Sequence, residues 1–163
     1  MKLTRDDLQR LYRYGFSLTG NEPDAHDLLQ RAIERTLSKG VEPEHPVRYL
    51  MRAMRHRFID EARARKRAPH VDYDELAESG DAVDWSEQVL DNVVIASVDM
   101  GRIWEQLASE ERELLYMWAV EEYTAAEIAA QTETPRNTIL SRIHRLRHRL
   151  RRRFGAHTEE DAS

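Results

Sequence analysis

Residues 136–153 hold eight arginines and no acid. Ile139, Ile143, Leu146, Leu150 and Phe154 recur through this run at spacings of four, three, four and four residues. The spacing predicts a helix with one buried stripe. At about 100° per residue, Asn137, Ser141, His144 and His148 fall opposite that stripe. Arg145, Arg149 and Arg152 flank this polar row on one side, Arg147 and Arg151 on the other. With no acid in the run, i,i+4 pairing cannot offset the repulsion, which points to an anionic partner rather than to a merely solvated helix face. Small hydrogen-bonding groups between two rows of guanidinium suit a DNA major groove, where the arginines reach phosphates and the central row faces base edges.

The residues before it complete a motif. Thr124 is placed to cap a short helix, with Glu127 three residues on in capping-box spacing. Ala125, Ile128 and Ala129 supply its apolar face, and the turn Gln131–Thr134 ends at Pro135, which suits the start of a new helix. Helix, polar turn and arginine-lined helix read as a helix-turn-helix over residues 121–153.

In a chain of 163 residues there is room for one ordinary domain or two small helical ones. Charged residues make up 34% and the net charge is −5, a sign at odds with DNA binding until its distribution is followed. Residues 48–67 carry eight Lys/Arg against Asp60 and Glu61; residues 68–101 carry nine acids and no Lys or Arg; residues 136–153 are purely basic. Two basic segments are thus separated by an acidic one. No apolar run approaches the ~20 residues of a membrane span, and the N-terminus lacks the apolar centre of a signal peptide. Together with the absence of cysteine, these features lead us to expect a cytoplasmic protein without membrane insertion.

Three helices are expected ahead of the acidic segment. The first covers residues 4–19, capped by Thr4, with Leu8, Leu11, Tyr12 and Leu18 inward and Gly20–Asn21 ending it. The second covers about 22–38 from Pro23, burying Ala25, Leu28, Leu29, Ala32, Ile33 and Leu37. The third runs from about Val47 to Lys66 on Val47, Leu50, Met51, Met54, Phe58 and Ala62, leaving Arg48, Arg52, Arg55, His56 and Arg63 outside. Residues 68–84 read as a linker of up to roughly 60 Å. Beyond it, Ser86 is placed to cap a helix on Val89, Leu90, Val93 and Val94; another covers about Met100–Leu107; Ser109 is placed to cap the next, with Leu114, Leu115, Trp118 and Ala119 inward. Trp104 and Trp118 are expected in the core, and Trp85 either in the core or as a docking anchor.

Catalytic signals are poor. The six glycines are isolated, and no Gly-x-Ser-x-Gly or thiol nucleophile exists. His144 and His148 sit at i,i+4, but the arginines around them would repel a metal cation, so no catalytic residue, metal or cofactor is expected. Tyr49, beside Arg48 and Arg52, is placed to stack an unpaired base while arginine holds the backbone, or else to lie half-buried against the preceding loop.

With these residues in place, the chain resembles the extracytoplasmic-function (ECF) sigma factors of bacterial RNA polymerase over about residues 6–67 and 103–154. LTGNEPDAHDLLQRAIERTL (18–37) resembles the family's clamp-binding segment, and PVRYLMRAMRHRFIDEARARKR (46–67) its promoter-melting helix. LASEERELLYMWAVEEYTAAEIAAQTETPRNTILSRIHRLRHRLRRR (107–153) resembles its C-terminal helix-turn-helix block. The resemblance implies an all-α protein of two small helical domains, an N-terminal bundle (1–67) and a C-terminal helix-turn-helix domain (86–155), joined by an acidic linker (68–85) and followed by a tail (156–163). It implies docking on the clamp and flap of core polymerase, with Asp24, His26, Asp27, Gln30 and Arg31 at the clamp. It also implies reading of promoter DNA: the −10 element by Arg48, Tyr49, Arg52, Arg55 and His56, and the −35 element by Arg136, Asn137, Thr138, Ser141, Arg142, Arg145 and Arg149. An anti-sigma factor is a further implied partner. A sigma-like decoy for such a factor, or a free-standing helix-turn-helix regulator, stays open as an alternative. The sequence departs from the family where acids become His26 and Arg31, the melting-helix tryptophan becomes Tyr49, an asparagine becomes His56, and the turn glycine becomes Glu133 after Thr132.

Overall fold

The computed structural model describes residues 1–66 and 104–154. The linker, Trp85, the helix expected after Ser86 and the tail lie outside the described residues. Among the described residues the regular structure is helical, and the chain divides into two compact units, Met1–Val71 and Asp72–Ser163.

The first unit is a three-helix bundle of α1 (Arg5–Thr19), α2 (Glu22–Ser38) and α3 (Pro46–Lys66), each packed on the other two. Local chemistry sets the ends. The Asp7 N–H donates to Thr4 Oγ1 at 3.1 Å, and Asp7 Oδ2 accepts the Thr4 N–H at 2.9 Å, closing a capping box. Those two bonds from Thr4 hold the Asp7 carboxyl below its ordinary value of 3.8. A lowered folded value means this share of stability is present above about pH 4 and is lost as pH falls through the folded value. Gly20 ends α1 in the left-handed conformation (φ 76°), its N–H donating to Phe16 O. Asn21 then caps α2 by accepting the Asp24 N–H at 2.9 Å.

The bundle closes on Leu11, Tyr14, Leu18, Ala25, Leu28, Leu50, Met51 and Met54. Gly15 permits the close approach: a Cβ there would come within 2.9 Å of Met54 Cε and 3.3 Å of the Ala25 carbonyl oxygen. Two expected core residues lie outside. Leu8 precedes the packed stretch, which begins at Leu11, and is exposed; Tyr14 is fully buried. At the end of α2, Thr36 takes the inward position and Leu37 is 56% exposed. Thr36 tolerates burial because its Oγ1 donates to Ala32 O at 2.8 Å.

The second unit contains α4 (Ser109–Leu115), a π-helical segment Tyr116–Val120, α5 (Ala125–Thr132) and α6 (Arg136–Phe154). Ahead of them, the helix expected over Met100–Leu107 is described only from Trp104, where its last turn ends at a buried Leu107. Ala108, not Ser109, occupies the N-cap of α4. Glu111 reaches back to accept the Ala108 N–H at 3.2 Å, and the Ser109 hydroxyl accepts from Arg112 at 3.1 Å. The π segment changes which residues face inward. With the Glu121 N–H bonded to Tyr116 O, five residues back, the face turns by less per residue than in an α-helix. Tyr116 and Met117 are therefore buried, while Trp118 and Ala119, both expected inward, are only half-buried. Trp104 is likewise half-buried rather than core.

In the helix-turn-helix, Thr124 and Glu127 form the expected capping box, the Glu127 N–H donating to Thr124 Oγ1 at 3.1 Å. Glu133 closes α5 in the left-handed conformation (φ 53°, ψ 38°), its N–H donating to Ala129 O. Thr132, where the family has an apolar residue, is buried with its Oγ1 on Ile128 O at 2.8 Å. A non-glycine residue in this conformation is strained, so Glu133→Gly is expected to stabilise the second unit by about 0.5–1 kcal/mol. Thermal unfolding checks this; an unchanged or lower midpoint would contradict the turn geometry. Ile128 is fully buried, with Ile139, Ile143, Leu146 and Leu150 as the inward stripe of α6.

Candidate nucleic-acid interface

Along α3, Tyr49, Arg52 and His56 follow one another at three- and four-residue steps and are exposed. They form one wall of a groove of about 660 Å³ between α2 and α3; Arg31, Arg35 and Lys39, at four-residue steps on α2, form the other. Tyr49 is 37% exposed, so part of its ring is offered to the groove while the rest packs on the bundle. Asp60 and Glu61 lie toward one end with Arg57. The groove therefore joins cations on both walls to an accessible ring, which suits an unpaired base with its phosphates. Arg48 is exposed and Arg55 half-buried, but neither lines the groove. Arg35 and Lys39 were not singled out from sequence; their spacing with Arg31 was the available signal.

The five residues expected at the polymerase clamp are all exposed on α2. Most already have a partner within the unit. Asp24 accepts from Asn21 Nδ2 at 2.8 Å, and Gln30 Nε2 donates to Glu34 at 3.0 Å. Arg31 Nε donates to Asp27 Oδ1 at 3.0 Å. The His26 ring lies against Tyr12, with centroids 4.5 Å apart and tilted by 35°. Burial, and then the nearby Glu22 carboxylate, raise the Tyr12 phenol above its ordinary value of 10.0, so it stays protonated near neutral pH.

On α6, Arg136, Asn137, His144, Arg145 and His148 are exposed, while Thr138, Ser141 and Arg142 are half-buried. These residues cluster on the outward face of the N-terminal two-thirds of the helix. Arg145 Nε folds back on the Ser141 carbonyl at 3.4 Å. The arginine rows expected from helical angle alone hold only in part. Arg147 is 8% exposed, so it belongs to the packed side rather than to a groove wall. Its apolar stem can lie along the core while the charged tip reaches outward. Arg149 forms an ion pair with Glu111 of α4, and Arg153 Nη1 donates to Gln106 Oε1 at 2.6 Å. The C-terminal third of α6 is thus fastened within its own unit. Among the described residues no group of three or more His, Cys, Asp or Glu could hold a metal ion, and no helix is long and apolar enough to cross a membrane.

Comparison with known proteins separates the same two units. Residues 3–68 match the family model Sigma-70 region 2, and residues 98–150 match Sigma-70, region 4. The ECF RNA polymerase sigma factor SigE of Mycolicibacterium smegmatis is 29% identical over 167 aligned positions, covering 99% of this chain and 63% of SigE. The chain therefore spans less than two thirds of that relative's length. Among solved structures, the sigma factor RpoE in complex with the anti-sigma factor NepR from Bartonella quintana is similar with a TM-score of 0.59. That likeness covers 90% of each chain at 20% identity, and establishes a shared fold.

Proposed function

The chain belongs to the extracytoplasmic-function sigma factors, a family of transcription initiation factors that bind DNA, and from that premise we propose how its two units divide promoter recognition. The first unit docks on the clamp of core polymerase through Asp24, His26, Asp27, Gln30 and Arg31, and reads and melts the −10 element. Tyr49, Arg52 and His56 face the unpaired strand, with Arg48 and Arg55 beside them. Arg35 and Lys39 extend the phosphate contacts onto α2. The observation that carries this reading is the groove itself, in which an accessible ring sits between two cationic walls. Each base captured there offsets a few kcal/mol of unstacking.

The second unit reads the −35 element in duplex form. Asn137, Thr138 and Ser141 face base edges, while Arg136, Arg142 and Arg145 take phosphates on the groove walls. Arg149 leaves the list of DNA contacts proposed from sequence, because Glu111 already neutralises it. The chain performs no covalent chemistry; the polymerase carries out synthesis. The complex formed by the Bartonella protein makes an anti-sigma factor the natural antagonist to test for.

Binding of purified core polymerase to the full chain tests the first half of this reading. Stable association is expected, and it should weaken when Asp24 and Asp27 are both replaced by alanine. No association by pull-down would sink the sigma-factor role and favour a decoy or a free-standing regulator.

A further inference from the structure

Residues 48–67 carry strong positive charge against two acids, Asp60 and Glu61. Glu61 draws three guanidinium groups from two helices. Arg57 Nε lies 2.9 Å from its Oε1, close enough for an ion pair though not aligned as a hydrogen bond. Arg31 Nη1 reaches the same oxygen from α2 at 3.8 Å, and Arg65 Nη2 approaches Oε2 at 3.9 Å. Arg31 is also held by Asp27. The cluster therefore sets three positive charges against two negative ones, a sum of +1; without the Glu61 charge the sum becomes +2. Arg31, Arg57 and Glu61 all line the groove assigned to the −10 strand.

We propose that Glu61 is a specificity-determining residue: by gathering Arg31, Arg57 and Arg65 on one carboxylate, it withholds them from DNA phosphates. The inference rests on the reading of the groove as the single-strand site. Phosphate contacts carry no sequence information. A promoter strand on its specific path makes a fixed set of contacts, whereas a non-promoter strand samples every register and takes up any cation within reach. Guanidinium groups released at the end of the groove therefore favour the wrong sequences more than the right one. Neutralising them costs some affinity and improves discrimination, a difference between affinities rather than a gain in one. Glu61 is a helical residue 36% exposed at its side chain, so a neutral glutamine fits its place without burying an unpaired charge.

The test uses the full chain and its Glu61→Gln variant, with poly-dT as the sequence-independent probe. A single-stranded sequence selected by the wild type from a random library serves as the specific one. Glu61→Gln is expected to bind poly-dT several-fold more tightly at low salt. Its log–log salt dependence should steepen by about 0.7 for each guanidinium released, and the advantage of the selected sequence should shrink. Adding Arg57→Gln should return the slope toward the wild-type value, a rescue that mere loosening of the bundle would not give. If the wild type binds and Glu61→Gln leaves slope and discrimination unchanged, or weakens poly-dT binding, the role of Glu61 is overturned and the groove reading stands. If neither protein binds single strands, both fall.

Discussion

Replacing Arg142 and Arg145 together by alanine is expected to weaken binding to a −35 duplex by about 30- to 1000-fold, from roughly 1–3 kcal/mol for each arginine lost. Both precede the fastened part of α6; Arg145 is exposed and Arg142 half-buried. In free protein Arg145 makes a long bond to the carbonyl oxygen of Ser141, which a phosphate can displace at little cost. The loss should be similar for different duplex sequences, with the salt slope falling by about 0.9 for each phosphate contact removed. Arg149→Ala provides the contrast. Because Glu111 pairs with Arg149 within the unit, its removal should leave the salt slope unchanged and lower only the thermal midpoint. A reduced slope for Arg149→Ala, or an unchanged one for the double variant, would move the DNA boundary along α6.

The second large effect lies in packing. Ile128→Ala should destabilise the second unit by about 3 kcal/mol, from lost burial and the cavity left behind. Ile128 is fully buried, on a short helix that packs against both α6 and the π segment. A unit of this size has a small core and little stability to spare. The loss should therefore abolish duplex binding at physiological temperature while the first unit keeps its own thermal transition. A cost below about 1 kcal/mol would mean that α5 is held by something other than this contact.

Much of this architecture was legible because local signals and periodicity agree. Thr4–Asp7 and Thr124–Glu127 are short-range hydrogen-bond patterns, and both close as their spacing predicts. The stripe Ile139, Ile143, Leu146 and Leu150 is buried as its period requires. The errors arise where another segment decides. Angle alone placed Arg147 and Arg149 in outward rows. The packing of α6 buries one, and Glu111, 38 residues earlier in sequence, pairs the other. Trp118 was assigned inward on an α-helical period, but the π segment turns the chain before it is reached. Leu37 and Thr36 changed places because the Ala32 carbonyl satisfies the Thr36 hydroxyl, a bond that hydropathy does not register.

The candidate site shows the same division. The exposed positions of Tyr49, Arg52 and His56 follow from the apolar stripe of α3. The opposing wall of Arg35 and Lys39 depends on how α2 lies beside it. The charge at Arg31, which reads from sequence as a reversal of an acidic docking contact, is paired within the unit by Asp27 and Glu61. Its sign therefore does not pass unaltered to a partner surface.

Run-off transcription by purified core polymerase, on a library of promoter templates, tests the two-unit division most directly. The account predicts product that depends on the full chain and comes from templates sharing two separated elements. Tyr49→Ala combined with Arg52→Ala should abolish the upstream-independent melting of the −10 region, and the Arg142 and Arg145 double variant should remove dependence on the −35 element. Product that appears equally without the chain, or that survives both sets of substitutions, would contradict it.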